Sequence, residues 1–404
     1  MTDIRLPRTV QFMYEQSLAY MEFKRGFNAK SLRTDMTDPW RMTAELNGNL
    51  TEVIRRSAYA GTVGSEESVY WQLCKPSYQG GEFNLTRSPN QFLTHWIYPY
   101  KGKFHPQIVR AILNMVGARA GWLILDPFVG SGTTCVECRL LGIDSVGVDI
   151  SPLCHLLTIA KTLACDHIDH IKRVAEQLQG SDAPKSWRHF RCPSGCPLPV
   201  KAFFEIARMV TLSDQANRRR DPETRFWVNL RRMVDSVERM CIARDRFALR
   251  FGSVEVHCGD ARRLKSCGIK EGSIDAVITS PPYSIALDYV KNDEHALQDL
   301  GVDVESARDH FIGVAGHGPR DRMARYNADM KLVLEQIARA LKHDAPAVLV
   351  LGDATLDGSE VTTTEDIVSW ADDVGLRIEH SLCKIVYGLY NMIKDEKILF
   401  FRRI

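Results

Sequence analysis

The chain has 404 residues, 45% of them hydrophobic and 25% charged, with a formal net charge of only +2. This is ordinary globular composition, long enough for a large catalytic domain and one or two smaller pieces, and it confines any nucleic-acid surface to a local patch. No apolar run approaches membrane-spanning length, Glu15 and Glu22 interrupt the only early apolar pattern, and the eleven cysteines are scattered. These features predict a soluble cytoplasmic protein with reduced thiols rather than a secreted, disulfide-framed one.

Residues 1–90 form an N-terminal accessory region. Phe12, Tyr14, Leu18, Met21 and Phe23 recur at helical spacing and predict an amphipathic helix ending near Gly26, suited to packing on the main domain or on a second copy. Residues 62–86, rich in Gly, Ser and aromatics, read as irregular or short β structure. From His95 the text changes. A Pro-Tyr-Lys-Gly-Lys-Phe-His-Pro stretch leads into a helix with Pro106 at its start and Ile108, Val109, Ile112 and Leu113 on one face.

The stretch Leu123-Ile-Leu-Asp-Pro-Phe-Val-Gly-Ser-Gly-Thr-Thr134 reads as a buried parallel strand, a glycine turn at Gly130 and Gly132, and the start of a helix. Such a corner binds nucleotides, because glycine admits close backbone approach and the helix N-terminus offers free N–H groups. About 20 residues on, the distance usual for a ribose-binding acid, the strand Ser145-Val-Gly-Val-Asp149 ends in a carboxylate that can take both ribose hydroxyls of an adenosine. The third glycine of the dinucleotide fingerprint is missing.

Residues 166–253 read as a helical, basic insertion. Cys192-Pro-Ser-Gly-Cys196, with His189 nearby, has the wrong gap and too few ligands for zinc and reads as a loop; no metal is expected. Arginines then crowd the chain. Phe226, Leu230, Met233, Val237 and Met240 give a helix its inner face, with Arg231, Arg232 and Arg239 outside. Together with Arg218, Arg219 and Arg220 these arginines are the candidate phosphate-contacting, DNA-binding surface and a place for target recognition. A solvated helix face is the competing reading.

Residues 254–404 resume the strand–helix alternation. A strand from Val254 ends at Gly259-Asp260-Ala261, and another, from Ser273 to Thr279, runs out into Ser280-Pro281-Pro282-Tyr283. Residues 284–320 read as a mobile segment on the substrate side. A helix with Met323, Tyr326, Met330, Val333, Ile337 and Leu341 on one face precedes a fifth strand, Ala345 to Leu351. After a helix at 364–374, two last strands, 376–386 and 397–401, can pair antiparallel and close the sheet.

Asp-Pro-Phe-x-Gly-Ser-Gly-Thr-Thr, followed later by Ser-Pro-Pro-Tyr, resembles the paired motifs of the S-adenosylmethionine (AdoMet) dependent amino-group DNA methyltransferases, over roughly Tyr98 to the C-terminus. The resemblance implies an α/β fold: a doubly wound, mostly parallel, seven-stranded Rossmann-like sheet with an antiparallel C-terminal hairpin, plus the helical insertion. It implies AdoMet as cofactor and splits the catalytic domain into an AdoMet half, 91–165, and a Ser-Pro-Pro-Tyr half, 254–404. By position, Phe104 and Pro106, beside Lys103 and His105, help hold the methionine end. Asp126, Phe128, Gly130, Ser131, Gly132 and Thr133 form the cofactor turn. Asp149 binds the ribose, Ile150 packs on the adenine, and Asp260 with Ala261 meets the adenine amine.

The catalytic set implied is Ser280, Pro281, Pro282 and Tyr283. A base amine is a poor nucleophile, its lone pair being conjugated into the ring, so acceptors must draw it toward tetrahedral geometry beside the methyl donor. The Ser280 hydroxyl and the Pro281 carbonyl supply acceptors, the paired prolines stiffen the loop, and Tyr283 offers a face for a flipped base. Serine in first place resembles the cytosine-N4 members, with adenine-N6 the alternative. The implied substrate is double-stranded DNA with one base flipped, in a bacterial or archaeal cell and with a cognate restriction endonuclease as partner. An RNA amine, guanine N2, a protein glutamine, a non-catalytic DNA-binding module and a nicotinamide oxidoreductase remain as rivals.

Overall fold

A computed structural model of the chain describes residues 1–46, 48, 50–178, 187, 192–283, 287–356, 359–385 and 395–404. Its main sheet is built from β1 (Leu123–Asp126), β2 (Asp144–Asp149), β3 (Val254–Cys258), β4 (Ala276–Thr279), β5 (Pro346–Gly352), β6 (Leu376–Ile385) and β7 (Asp395–Arg403). Their spatial order is β6-β7-β5-β4-β1-β2-β3. The five strands β1 to β5 pair in parallel. β7 runs antiparallel to both neighbours, in register with β5 from Pro346–Arg402 to Gly352–Glu396. The α/β sheet with its closing hairpin is the one the sequence predicts.

Alternation along the strands divides the core. Ile124, Ile278, Val348 and Phe400 point to one face, while Leu125, Val277, Leu349 and Phe401 point to the other. Every residue of β4 and β5 is buried, as parallel strands covered on both faces must be. The first face is covered by α2 (Pro106–Met115) and by the N-terminal region, which includes α1 (Met13–Met21). The flanks of the glycine turn are α3 (Thr133–Leu140) and α4 (Pro152–Thr162). Within the insertion, α5 (Leu198–Arg218) and α6 (Pro222–Arg246) form a hairpin packed on α4. The second face is covered by α7 (Gly318–Ala340), whose Tyr326, Met330, Val333 and Ile337 are buried, and by α8 (Thr363–Asp373).

The N-terminal region carries its own five-stranded antiparallel sheet. The helix expected to continue to Gly26 is α-helical only to Met21 and finishes as a π-helical turn, Glu22–Gly26. The fully buried Glu22 carboxylate is drawn off to accept from Ala58 N at 2.8 Å, Tyr59 N at 3.2 Å and Asn114 Nδ2 at 2.6 Å. A Cβ on Gly26 would lie 2.9 Å from the Asn114 carbonyl carbon, so glycine is what lets this turn seat on α2. Among the described residues no helix is long and apolar enough to cross a membrane.

The parallel order changes direction at β1, which has β2 on one side and β4 on the other. A crevice opens beyond the carboxyl ends of strands at such a switch point. Both singled-out motifs leave the sheet there, one from β1 and one from β4.

Candidate active site

The glycine turn after β1 has the geometry its residues predict. Gly130 and Gly132 have φ of 46° and 77°, the left-handed region that costs glycine nothing. At Gly132 a Cβ would also fall 2.8 Å from Thr158 Oγ1 and 3.1 Å from Thr158 Cα, so the turn lies directly on α4. From beneath, Lys161, 1% exposed, donates from Nζ to the Ser131 carbonyl at 2.9 Å. Burial pulls its pKa well below the lysine range. This lysine has no motif signature and was not anticipated.

Asp149, at the tip of β2, closes the turn. Its carboxylate accepts from Gly130 N and Ser151 N, each at 2.9 Å. Burial pushes its carboxyl up to about 6. Asp126 is 3% exposed and accepts from Thr279 Oγ1 at 2.6 Å and Phe128 N at 3.1 Å, so the ends of β1 and β4 are tied together. Its carboxyl is likewise raised to about 6 by burial.

Ser280 follows β4 directly. Its single hydroxyl proton goes to the Val350 carbonyl of β5 at 3.1 Å, an atom that can only accept, and the Tyr283 phenol oxygen lies 3.2 Å from the same Oγ. With that proton on Val350, a lone pair of Oγ stays available to a donor in the cavity. Burial, with the Glu396 carboxylate beside it, holds the Tyr283 phenol far above its ordinary pKa, which keeps it protonated.

One cavity of about 950 Å³, open to solvent, joins these groups. It is lined by Phe104, Asp126, Phe128, Gly130, Ser131, Thr133, Asp149, Ile150, Asp260, Ala261, Ser280 and Pro282, all candidates from the sequence. Pro106, Gly132, Pro281 and Tyr283 are not in its lining: Pro106 starts α2, Gly132 faces α4, and Tyr283 turns its hydroxyl back to Ser280. The lining also includes Tyr100, Asp293, Leu297, Phe311 and Ile312, which sequence reasoning missed. Asp293 accepts from the Tyr98 hydroxyl at 2.6 Å, and its carboxyl is raised to about 6 by burial.

Asp260 sits at the far end. It is half-buried, which by itself would raise its pKa, but Arg262 grips it at 2.8 Å and holds it below the usual range. Arg262 also bonds Asp329 at 2.8 Å and the His310 carbonyl at 2.9 Å, anchoring the segment that carries Phe311 and Ile312. Among the described residues the lining holds four aspartates, Asp126, Asp149, Asp260 and Asp293, and not one lysine or arginine. Such a cavity repels a pyrophosphate and attracts a cation with hydroxyl donors.

The arginine-rich insertion divides. Arg231 is exposed, but Arg232 lays its guanidinium 4.3 Å over the Trp96 ring. Arg239 donates to the Glu82 carbonyl. The latter two were expected on an outer face; they lie instead against the N-terminal half of the chain, because a guanidinium stacks and bridges where an ammonium would stay solvated. Arg218 and Arg220 bond Asp214 at 2.9 and 3.4 Å, and Arg219 caps α5 with φ of 50°. His189 lies outside the described residues. Cys196 has its Sγ 3.6 Å from His170 Nε2, a neighbour the sequence reading did not connect with it.

Comparison with known proteins gives a family model described as DNA methylase over residues 66–159, which takes in α2, the glycine turn and Asp149. The type II methyltransferase M.MjaII of Methanocaldococcus jannaschii is 46% identical over 80 residues, 20% of this chain and 15% of that one. The type II methyltransferase M.BsoBI of Geobacillus stearothermophilus is 22% identical over 280 residues, 54% of this chain and 55% of that one. A tRNA (guanine(10)-N2)-dimethyltransferase of Methanothermobacter thermautotrophicus is 36% identical over 91 residues, 20% of this chain and 26% of that one. The chain thus spans about half the length, or less, of these relatives. The resemblance to amino-group DNA methyltransferases is borne out by these matches, and with it the cofactor. AdoMet suits the cavity: a sulfonium and an ammonium for its carboxylates, ribose hydroxyls for Asp149, and an adenine for Phe128, Ile150 and Ala261.

Proposed function

We propose that the protein methylates an exocyclic amine of a base in DNA, with cytosine N4 as the target, by direct transfer onto a base swung out of the duplex. The observation that carries this reading is the placement of Ser280 in the same cavity as Asp149 and Gly130, with its hydroxyl proton directed away toward the Val350 carbonyl. An acceptor so placed draws an N–H of the base amine toward it and leaves the nitrogen lone pair free to face the methyl group. AdoMet, when bound, supplies that methyl group as a good electrophile. The chain's own residues do the rest. Asp149 and the glycine turn fix the nucleoside end, Lys161 keeps the turn in place, and Ser280 orients the amine. Pro281 and Pro282 hold the loop stiff. Tyr283, with its phenol beside Ser280, braces the loop from outside the cavity lining. We assign 91–165 and 254–404 to the two halves of the catalytic unit and 166–253 to target recognition.

Adenine N6 uses the same geometry and is the closest alternative. The match to a guanine-N2 tRNA enzyme favours a second reading, an RNA base amine. The test is incubation with labelled AdoMet and separate DNA and RNA pools, then nucleoside mass analysis. N4-methylcytosine in DNA is the expected product. N6-methyladenine would keep the mechanism and change the base, label in RNA alone would move the substrate, and label in neither pool would overturn the reading.

A further inference from the structure

A second cavity, of about 710 Å³, abuts the first at Tyr100, which lines both. One wall comes from the segment before α2, with Trp96, Tyr98 and Lys103; the other comes from the α5–α6 hairpin, with Asp214, Arg218 and Arg232. Its character is opposite to that of the cofactor cavity. Arg232 stacks on Trp96 and feels Arg218, Arg220 and Arg225 close by: burial first, and then these like charges, pull its pKa down, while Asp214 opposes them. Asp214 is already shared by Arg218 at 2.9 Å, Arg220 at 3.4 Å and the Asn229 amide at 3.2 Å. Arg218, Arg220 and Arg232 therefore share one carboxylate, which can neutralise one of them. Lys103 joins from the other wall, directing two of its three N–H groups at the carbonyls of Asn90, at 3.0 Å, and His95, at 2.5 Å.

Like charges gathered at a partly desolvated spot raise the free energy of the empty protein, and an anion relieves that cost. Arginine matches phosphate in particular, with a planar fork of donors for its oxygens, and a stacked guanidinium is already oriented. The position of the cavity selects among anions. Tyr98, on its wall, bonds Asp293 of the first cavity at 2.6 Å, so the two cavities are directly linked through this pair. A strand that delivers a base to the first cavity carries a phosphate at every nucleotide, and Tyr100 joins the two cavities.

We propose that this cavity seats a backbone phosphate of the substrate strand, held by Arg218, Arg232 and Lys103, with Trp96 keeping the Arg232 guanidinium flat. The proposal rests on the nucleic-acid reading given above and adds to it a docking point next to the cofactor. Phosphate contacts position the strand without reading its sequence, so this site sets affinity and register and leaves base choice to the groups around Ser280.

The test uses the full-length protein and a fluorescently labelled duplex, with the dissociation constant followed by anisotropy over a range of salt. Each lost phosphate contact lowers the slope of log affinity against log salt by about 0.9. The double variant R218Q/R232Q, which empties the seat of its one phosphate, is expected to lose about 0.9 from the slope, equally for unrelated sequences. R218K/R232K restores most of the slope, because it keeps the charge. Titration with AdoMet, unchanged in both, shows that the variants are folded. A full wild-type slope in R218Q/R232Q with AdoMet binding intact would overturn the proposal. So would inorganic phosphate binding that is lost in R218Q/R232Q while the duplex slope stays unchanged, since the anion would then be a free one. If the wild type binds AdoMet but no nucleic acid, the fault lies with the substrate reading, and the phosphate seat falls with it.

Discussion

Ser280 gives its proton to β5: its hydroxyl lies 3.1 Å from the Val350 carbonyl, an atom that can only accept. The sheet itself therefore fixes how the loop presents its oxygen. β4 and β5 are hydrogen-bonded neighbours, and the register Val348–Ile278 and Leu349–Thr279 brings Val350 beside the residue that leaves β4. A serine in this position serves as an acceptor toward the cavity because its one donor is already spoken for.

Replacing Ser280 with alanine is therefore expected to lower kcat on the order of a hundredfold, the scale of losing one positioned polar group in an active site. AdoMet affinity should not move, since the turn and Asp149 are untouched. Single-turnover methyl transfer, alongside calorimetric AdoMet binding, checks this. Wild-type turnover in S280A would remove the loop from the chemistry.

Cofactor binding should depend on pH. Asp149 and Asp126 are both raised to about 6, so their carboxylates are ionised above that pH and protonated below it. A cationic cofactor with hydroxyl donors favours the ionised forms. Affinity is expected to be full near pH 7.5 and to fall as the pH drops through about 6. In D149N the affinity at neutral pH should be about tenfold or more lower, and part of the pH dependence should vanish. Titration calorimetry across that range reads both; a flat profile in the wild type would show that the carboxylates do not meet the cofactor.

Gly132→Ala tests the turn. The substitution combines a φ of 77° with a Cβ 2.8 Å from Thr158 Oγ1 and 3.1 Å from Thr158 Cα. A cost of about 1–3 kcal/mol in stability follows from the backbone strain alone. The shift of the turn off α4 should weaken AdoMet binding as well. Thermal unfolding with and without AdoMet separates the two effects, and an unchanged Tm would mean the turn relaxes freely.

Glu22 links the N-terminal region to α2. Removing its side chain in E22A leaves the donors of Ala58, Tyr59 and Asn114 without their acceptor, for an expected loss of about 3 kcal/mol. Burial raises its pKa to about 7, above the ordinary ~4.3 of the unfolded chain. With the folded value raised, its contribution favours the folded state at low pH. It is fully present below about 4.3 and lost as pH rises through about 7. Denaturant unfolding at pH 5 and pH 8 should show this pH dependence in the wild type, and E22A should lack it.

The strands were legible because their chemistry is local. Leu123 to Leu125, Ala276 to Ile278 and Ala347 to Leu351 are apolar runs bounded by turn residues, and parallel strands covered on both faces leave no other pattern. α6 announced itself through a one-sided stripe, from Phe226 to Met240. α5 did not, because Ala202, Phe203, Phe204, Ile206, Ala207, Met209 and Val210 are buried around most of its circumference, so no stripe marks it. The signal that was there is its length and Pro199 in its first turn.

The sequence alone determined the sheet, the glycine turn, Asp149 and the Ser-Pro-Pro-Tyr loop, since each rests on neighbours within a few residues of itself. Tertiary structure decided what surrounds them. Lys161 under Ser131, Tyr98 on Asp293, Val350 behind Ser280 and Trp96 under Arg232 join residues 30, 195, 70 and 136 positions apart. A lone aspartate or lysine in a polar stretch carries no period and no motif. Its role arises only when the chain crosses over and removes water from around it, which changes its pKa and its partners together.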